Sequence, residues 1–218
     1  MRREIDLNEI SDGRKYRAGD MVRADCRGCV GCSACCHNMG SSIVLDPMDV
    51  WRLTKAADKS PEELFDSALE LNVVDGLILP NLKMTGEERA CVFLSGEGRC
   101  TVHEFRPGFC RMFPLGRYYE NRSFWYFLQI HECPKNKTKI KVEKWLGISD
   151  IRRYEAYIND WHYFLKDIEE ALEGYGEEER RQMSLYLLRQ FYLSAYPQDE
   201  FYGEFEQRLE KAKDMFLG

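Results

Sequence analysis

Five cysteines fall within eleven residues, as Cys26-x-x-Cys29-x-x-Cys32-x-x-Cys35-Cys36, and no other feature constrains this chain as strongly. Two cysteines separated by two residues can turn both sulfurs to one point, and a bound metal then fixes that turn. Gly28 and Gly31 permit tight curvature here, and backbone N–H groups in such loops can hydrogen-bond to sulfur. Four more cysteines follow, Cys91, Cys100, Cys110 and Cys133, and none comes later. The total of nine is odd, so a disulfide framework would leave one thiol over. The opening MRREIDLNEI is charged and has no apolar signal core. No apolar run approaches the roughly 18 to 20 residues of a membrane span. A cytoplasmic location away from membranes is therefore expected. In a reducing compartment, clustered thiols mean metal binding or redox chemistry.

The other totals narrow the partners. A chain of 218 residues suffices for one sizeable domain or two small ones. Its net charge of −6 argues against a nucleic-acid partner, because neutralising phosphates takes a basic excess. The basic stretch Lys135-Asn136-Lys137-Thr138-Lys139-Ile140-Lys141 reads as a solvated loop or helix start. A protein partner is the expectation that remains.

Residues 1–25 are polar and show no clear period, so at most a strand or an arm is expected. Asp46 before Pro47 predicts a helix N-terminus, with Val50, Trp51, Leu53 and Thr54 on its inner face. Ser60-Pro61-Glu62-Glu63 reads as a capping box opening a second short helix. Residues 73–133 read as β-like. Leu77-Ile78-Leu79 is expected to stop at Pro80, and Glu120-Asn121-Arg122-Ser123 to turn a hairpin between Arg117–Tyr119 and Phe124–Leu128. From about residue 136 the pattern is helical. Val142–Leu146 ends at Gly147, and a long helix capped by Ser149 carries Ile151, Tyr154, Ile158, Trp161, Leu165, Ile168 and Leu172 on one face. Gly174 and Gly176 break that helix. Another runs from about Glu177 to Tyr196, and a last one carries Phe201, Phe205, Leu209 and Ala212. The aromatic stripe Tyr154, Tyr157, Trp161 and Phe164 reads as core packing. The fold class is thus α+β: a cysteine-rich metal-binding domain over 20–135, then a helical part over 136–218 packed on the first.

Two cysteines of the later group sit in informative settings. Arg106-Pro107-Gly108-Phe109-Cys110-Arg111-Met112-Phe113-Pro114 places Cys110 after a proline turn and beside an arginine expected to favour the thiolate. Cys133 precedes Pro134, as the last cysteine of bacterial ferredoxin runs precedes a proline. His37, His103 and His131 stand close to cysteines and could ligate or donate to sulfur. No glycine-rich nucleotide loop, HExxH element or nucleophile–histidine pairing is present.

These motifs resemble the YkgJ-type cysteine-cluster family of zinc- or iron-chelating domains. Its Cys-x-x-Cys-x-x-Cys-Cys opening matches Cys29, Cys32, Cys35 and Cys36. Its middle matches Cys91-Val92-Phe93-Leu94, Arg99-Cys100 and Arg106-Pro107-x-x-Cys110-Arg111-x-Phe113-Pro114, and a late cysteine corresponds to Cys133. Cys26 is extra to that pattern. The resemblance, which spans roughly residues 26–135, implies metal ligation by Cys29, Cys32, Cys35, Cys36, Cys91, Cys100, Cys110 and Cys133. Eight thiols could make two tetrahedral zinc sites, whereas consecutive two-residue spacings and Cys133-Pro134 resemble iron–sulfur runs. The family also resembles the cysteine region of flagellin lysine methylases, for which an iron–sulfur centre is expected. The leading expectation is a 4Fe-4S cluster serving electron transfer or redox support of a partner. Zinc in a structural or metal-handling protein is the alternative, and a cluster-dependent enzyme transferring methyl groups to a partner protein is another.

Overall fold

The computed structural model describes residues 6–26, 29, 32–133, 135 and 138–217. A short helix α1 (Leu7–Ile10), capped by the Asp6 side chain, precedes strand β1 (Met21–Asp25). Helix α2 (Pro47–Ala57) begins where Asp46 and Asp49 exchange hydrogen bonds in a capping box, and α3 (Pro61–Ser67) begins with the Ser60–Glu63 box read from sequence. Each has proline in its first turn, where a missing N–H costs nothing.

Four small antiparallel pairs follow. Strands β2 (Leu69–Val74) and β3 (Leu77–Leu82) pair about Asp75-Gly76, whose φ values of 49° and 82° make the tight turn that favours Asp-Gly. Strand β3 runs through Pro80 instead of stopping there. Pro80 faces Leu71 in the register, and by the alternation of the ladder that pair exchanges no hydrogen bonds with β2, so the missing N–H costs no bond to that strand. Strands β4 (Met84–Thr85) and β5 (Ala90–Cys91) form a two-residue pair. The β-like region also holds helix α4 (Gly108–Met112), which the aliphatic and aromatic content hid. Strands β6 (Leu115–Glu120) and β7 (Ser123–Leu128) make the expected hairpin about Asn121-Arg122. Strand β8 (Thr138–Lys141) pairs with β1, from Met21↔Lys141 to Asp25↔Thr138. The basic stretch therefore ends as a strand, because the N-terminal arm supplies an edge that no local pattern reveals.

The helices then run without a further strand. Helix α5 (Val142–Leu146) ends on Gly147 at φ 63°, the left-handed cap. Helix α6 (Ile151–Ala171) is capped by Asp150, not Ser149: the Asp150 carboxylate accepts the Arg153 N–H. It buries Tyr154, Tyr157, Ile158, Trp161, Phe164 and Ile168, so the aromatic stripe is core. Helix α7 (Glu177–Leu187) passes into one wide π-type turn over Leu188–Leu193, and α8 (Tyr202–Phe216) buries Phe205, Leu209 and Ala212. One hydrophobic core contains Val22, Leu53, Leu79 and Leu115 together with Trp161, Phe191 and Phe205. Residues on both sides of position 135 thus contribute to the same core.

Candidate metal centre

Three pairings carry the cysteines toward one another. Antiparallel β1 and β8 end on Asp25↔Thr138, so Cys26 leaves one strand near the point where the chain from Cys133 enters the other. A bridge joins His37 to Ala90, and the Asn38 N–H donates to the Arg89 carbonyl. Cys36 and Cys91, each adjacent to a bridged residue, are thereby neighbours. Leu94 bridges Cys100 across the Ser95–Arg99 turn, and the Arg99 guanidinium donates to the Cys29 carbonyl at 3.3 Å.

The thiols gather around two adjoining cavities. One, of about 60 Å³, is bordered by Cys29, Cys32, Cys35, Cys36, Cys91, Cys100 and Cys110. The other, of about 30 Å³, is bordered by Cys26, Cys29, Cys32, Cys35, Cys110 and Cys133. Cys29, Cys32, Cys35 and Cys110 border both, as does Arg106. All nine cysteines therefore line one or other cavity, including Cys26, which falls outside the motif the sequence matched. The Cys26 and Cys29 sulfurs lie 3.3 Å apart. Among the described residues, no three cysteine, histidine, aspartate or glutamate side chains stand close enough to hold one ion as they are. The donor set is nonetheless almost purely sulfur, which suits zinc and iron–sulfur chemistry and not calcium or magnesium.

The local electrostatics are those of thiols sharing a confined space. Burial pushes the Cys91 and Cys100 thiols up. The hydrogen bond that the Cys35 thiol makes to Cys36, then burial, pushes Cys35 up, and Cys26 rises to about 11 through burial and its contact with Cys29. Cys110 is raised most plainly, by burial and then by the neighbouring Cys91 and Asp49. The expectation that Arg111 would favour its thiolate fails, because that guanidinium turns away to the carbonyls of Leu146 (3.2 Å) and Glu104. Arg106 borders both thiol cavities, and its charge pulls the Cys35 and Cys100 thiols down against those upward pushes. Its Nη1 contacts His103 Nε2, and its Nε is buried with no hydrogen-bond partner. Bound thiolates would meet this charge.

Of the histidines, only His103 borders a thiol cavity, and burial followed by the Arg106 charge holds its pKa below the ordinary value. His37 is held in the bridge to Ala90, and its Nε2 lies 3.4 Å from Ser33 Oγ. His131 is exposed. Gly28, Gly31 and Pro134 lie outside the described residues.

Sequence reasoning missed the acidic support beneath Cys110. Asp49 is buried and its Oδ1 accepts the Gly108 N–H at 2.7 Å, while Asp46 Oδ1 accepts the Tyr157 hydroxyl at 2.9 Å and the Asp49 N–H at 2.9 Å. Asp46 was legible as a cap, but nothing in the sequence links it to a tyrosine 111 positions later. Among the described residues, no helix is long and apolar enough to cross a membrane.

Neither the curated proteins nor the solved structures contain a match to this chain. A family model does match, over residues 26–143, which takes in every cysteine and ends just past β8. Its description is "Putative zinc- or iron-chelating domain", in agreement with a sulfur-lined site for metal. The chain belongs to this CxxCxxCC family of metal-chelating domains.

Proposed function

We propose that the thiols hold a 4Fe-4S cluster and that the chain transfers electrons to, or supports the redox chemistry of, a protein partner. The observation that supports this reading is the sharing of Cys29, Cys32, Cys35 and Cys110 between two adjoining cavities. Two independent zinc sites would divide the cysteines into separate quartets around separate points. A shared set suits one polynuclear centre, to which thiolates attach at several corners. Such a cluster, when bound, supplies one-electron chemistry.

The protein's contribution is the surroundings. Buried Cys91 and mostly enclosed Cys110 keep one side of the site dry, and Arg106 offsets thiolate charge. Cys32, Cys36 and Cys133 are partly exposed, which gives an edge through which an electron can pass to a docked partner. The pairing of buried Cys26 with partly exposed Cys29 supports a second reading. Two sulfurs on one zinc, each at about 2.3 Å, stand somewhat under 4 Å apart, so the observed 3.3 Å separation needs little adjustment.

The visible spectrum of protein purified without air separates the two. A broad absorbance that dithionite bleaches and air or ferricyanide restores is expected. A colourless protein that unfolds with chelator would replace electron transfer with a structural or metal-handling role.

A further inference from the structure

Two further cavities, of about 220 and 650 Å³, adjoin behind α4 and share Phe109, Met112, Arg117, Tyr119, His162 and Lys166 on their walls. No cysteine borders either. Helix α4 is the partition, with Phe109 and Met112 facing these cavities and Cys110 facing the thiol cavities.

Most cations in these walls are matched. Lys166 pairs with Asp75 at 2.9 Å and with Glu169, and Arg122 pairs with Asp167 at 2.7 Å. Arg117 differs from both. Its Nη2 donates to the Tyr154 hydroxyl at 2.8 Å, and its guanidinium lies 5.4 Å and 5.6 Å from the ring centroids of Tyr154 and Phe124. Its Nε, however, is buried without a hydrogen-bond partner, and no carboxylate among the described residues forms an ion pair with it. A guanidinium keeps its charge under all ordinary conditions, and its fork matches the two oxygens of a carboxylate. Asp46 and Glu155 act on that charge through space, but neither forms an ion pair with it, and the buried Nε leaves one hydrogen-bond position unfilled. The nearby walls are apolar and aromatic, with Trp161 and Leu165 beside Phe109, and with the Tyr119 and His162 rings stacked at 3.5 Å and 9°.

We propose that this cavity binds a small aromatic monocarboxylate, its carboxylate held by Arg117 and its ring against Phe109 and Trp161. A single negative charge fits better than a phosphate dianion, because Arg117 offers one positive charge while Lys166 is already paired with Asp75 and Glu169 on the same wall. Apolar and aromatic walls with a few placed polar groups are the usual form of a small-molecule site. The site shares no thiol with the metal centre, so it stands whichever metal the cysteines hold.

The test is calorimetric titration of the full chain with sodium benzoate, with benzamide as the neutral isostere and inorganic phosphate as the dianion. Benzoate is expected to bind, and the other two to bind at least tenfold more weakly. Arg117→Gln should lose at least tenfold in benzoate affinity, and Arg117→Lys should recover only part of it. Because Arg117 also contributes to packing, Leu165→Trp serves as a second variant that narrows the cavity from α6 and leaves the guanidinium in place. It should abolish benzoate binding. Absence of benzoate binding by the parent chain, equal binding of benzamide, tighter binding of phosphate, or unchanged affinity in either folded variant would overturn the proposal.

Discussion

The Gly108 N–H donates to Asp49 Oδ1 at 2.7 Å, which ties the first turn of α2 to the first turn of α4, two residues before Cys110. Asp49 is itself fixed, since its Oδ2 accepts the Asp46 N–H at 3.2 Å and its own N–H donates to Asp46 Oδ1. The capping box thus positions a cysteine as well as starting a helix.

Removing that acceptor should be felt at the metal. Asp49→Ala leaves the Gly108 N–H buried and unbonded, at a cost of about 1–3 kcal/mol. The variant should unfold at lower denaturant and release metal to a chelator several-fold faster than the parent chain. Lower stability with unchanged metal release would separate the cap from the site.

Gly108 tests the same region by crowding. A Cβ there would lie 2.7 Å from the Tyr154 hydroxyl and 3.6 Å from Asp49 Oδ1. Gly108→Ala should therefore cost about 1–3 kcal/mol, the usual cost of overpacking. Gly19, whose Cβ would meet nothing within 4 Å, is the control, and Gly19→Ala should stay within about 0.5 kcal/mol of the parent. Urea midpoints compare the two directly.

His162 should give stability a dependence on acid pH. Burial pushes its pKa down to about 4, while its ring stacks on Tyr119. The unfolded chain then binds a proton that the folded chain refuses between about pH 6.5 and 4. The folded pKa is depressed, so this contribution is fully present above about 6.5 and is lost as pH falls through that window, by at most about 1.4 kcal/mol per pH unit. His162→Phe keeps an aromatic ring against Tyr119 and removes the titration. Its stability, followed by urea titration from pH 7 to 4, should fall less steeply than that of the parent.

The cysteines should not be equivalent. Cys35 borders both thiol cavities, whereas Cys26 borders only the smaller and Cys36 only the larger. Cys35→Ser should lose bound metal and solubility together, and Cys32→Ser should do the same. Cys26→Ser should retain most of its metal. Metal analysis of the three proteins, purified side by side, decides it, and full metal content in Cys35→Ser would refute the shared-thiol arrangement.

What could be read from the sequence was local. The Asp46 N-cap, the Ser60–Glu63 capping box, the hairpin at Asn121-Arg122 and the Gly147 cap depend on a few adjacent residues, and each appears where its chemistry put it. What escaped was set at a distance. Thr138–Lys141 is a strand only because Met21–Asp25 lies beside it. Pro80 continues a strand because its pairing position needs no N–H from it. The cysteine spacing identified a metal site, but the grouping of thiols depends on the distant pairings of β1 with β8 and of His37 with Ala90, and Arg117 gave no local signal because its surroundings come from α6, 37 residues on. The Asp75-Gly76 turn was visible as a dipeptide and could have marked the first hairpin.

Iron, zinc and acid-labile sulfide measured on one anaerobic preparation test the central claim most directly. The expected result is about four iron and four sulfide per chain with little zinc. Zinc without sulfide would contradict it and leave a chain whose thiols hold a single-ion site.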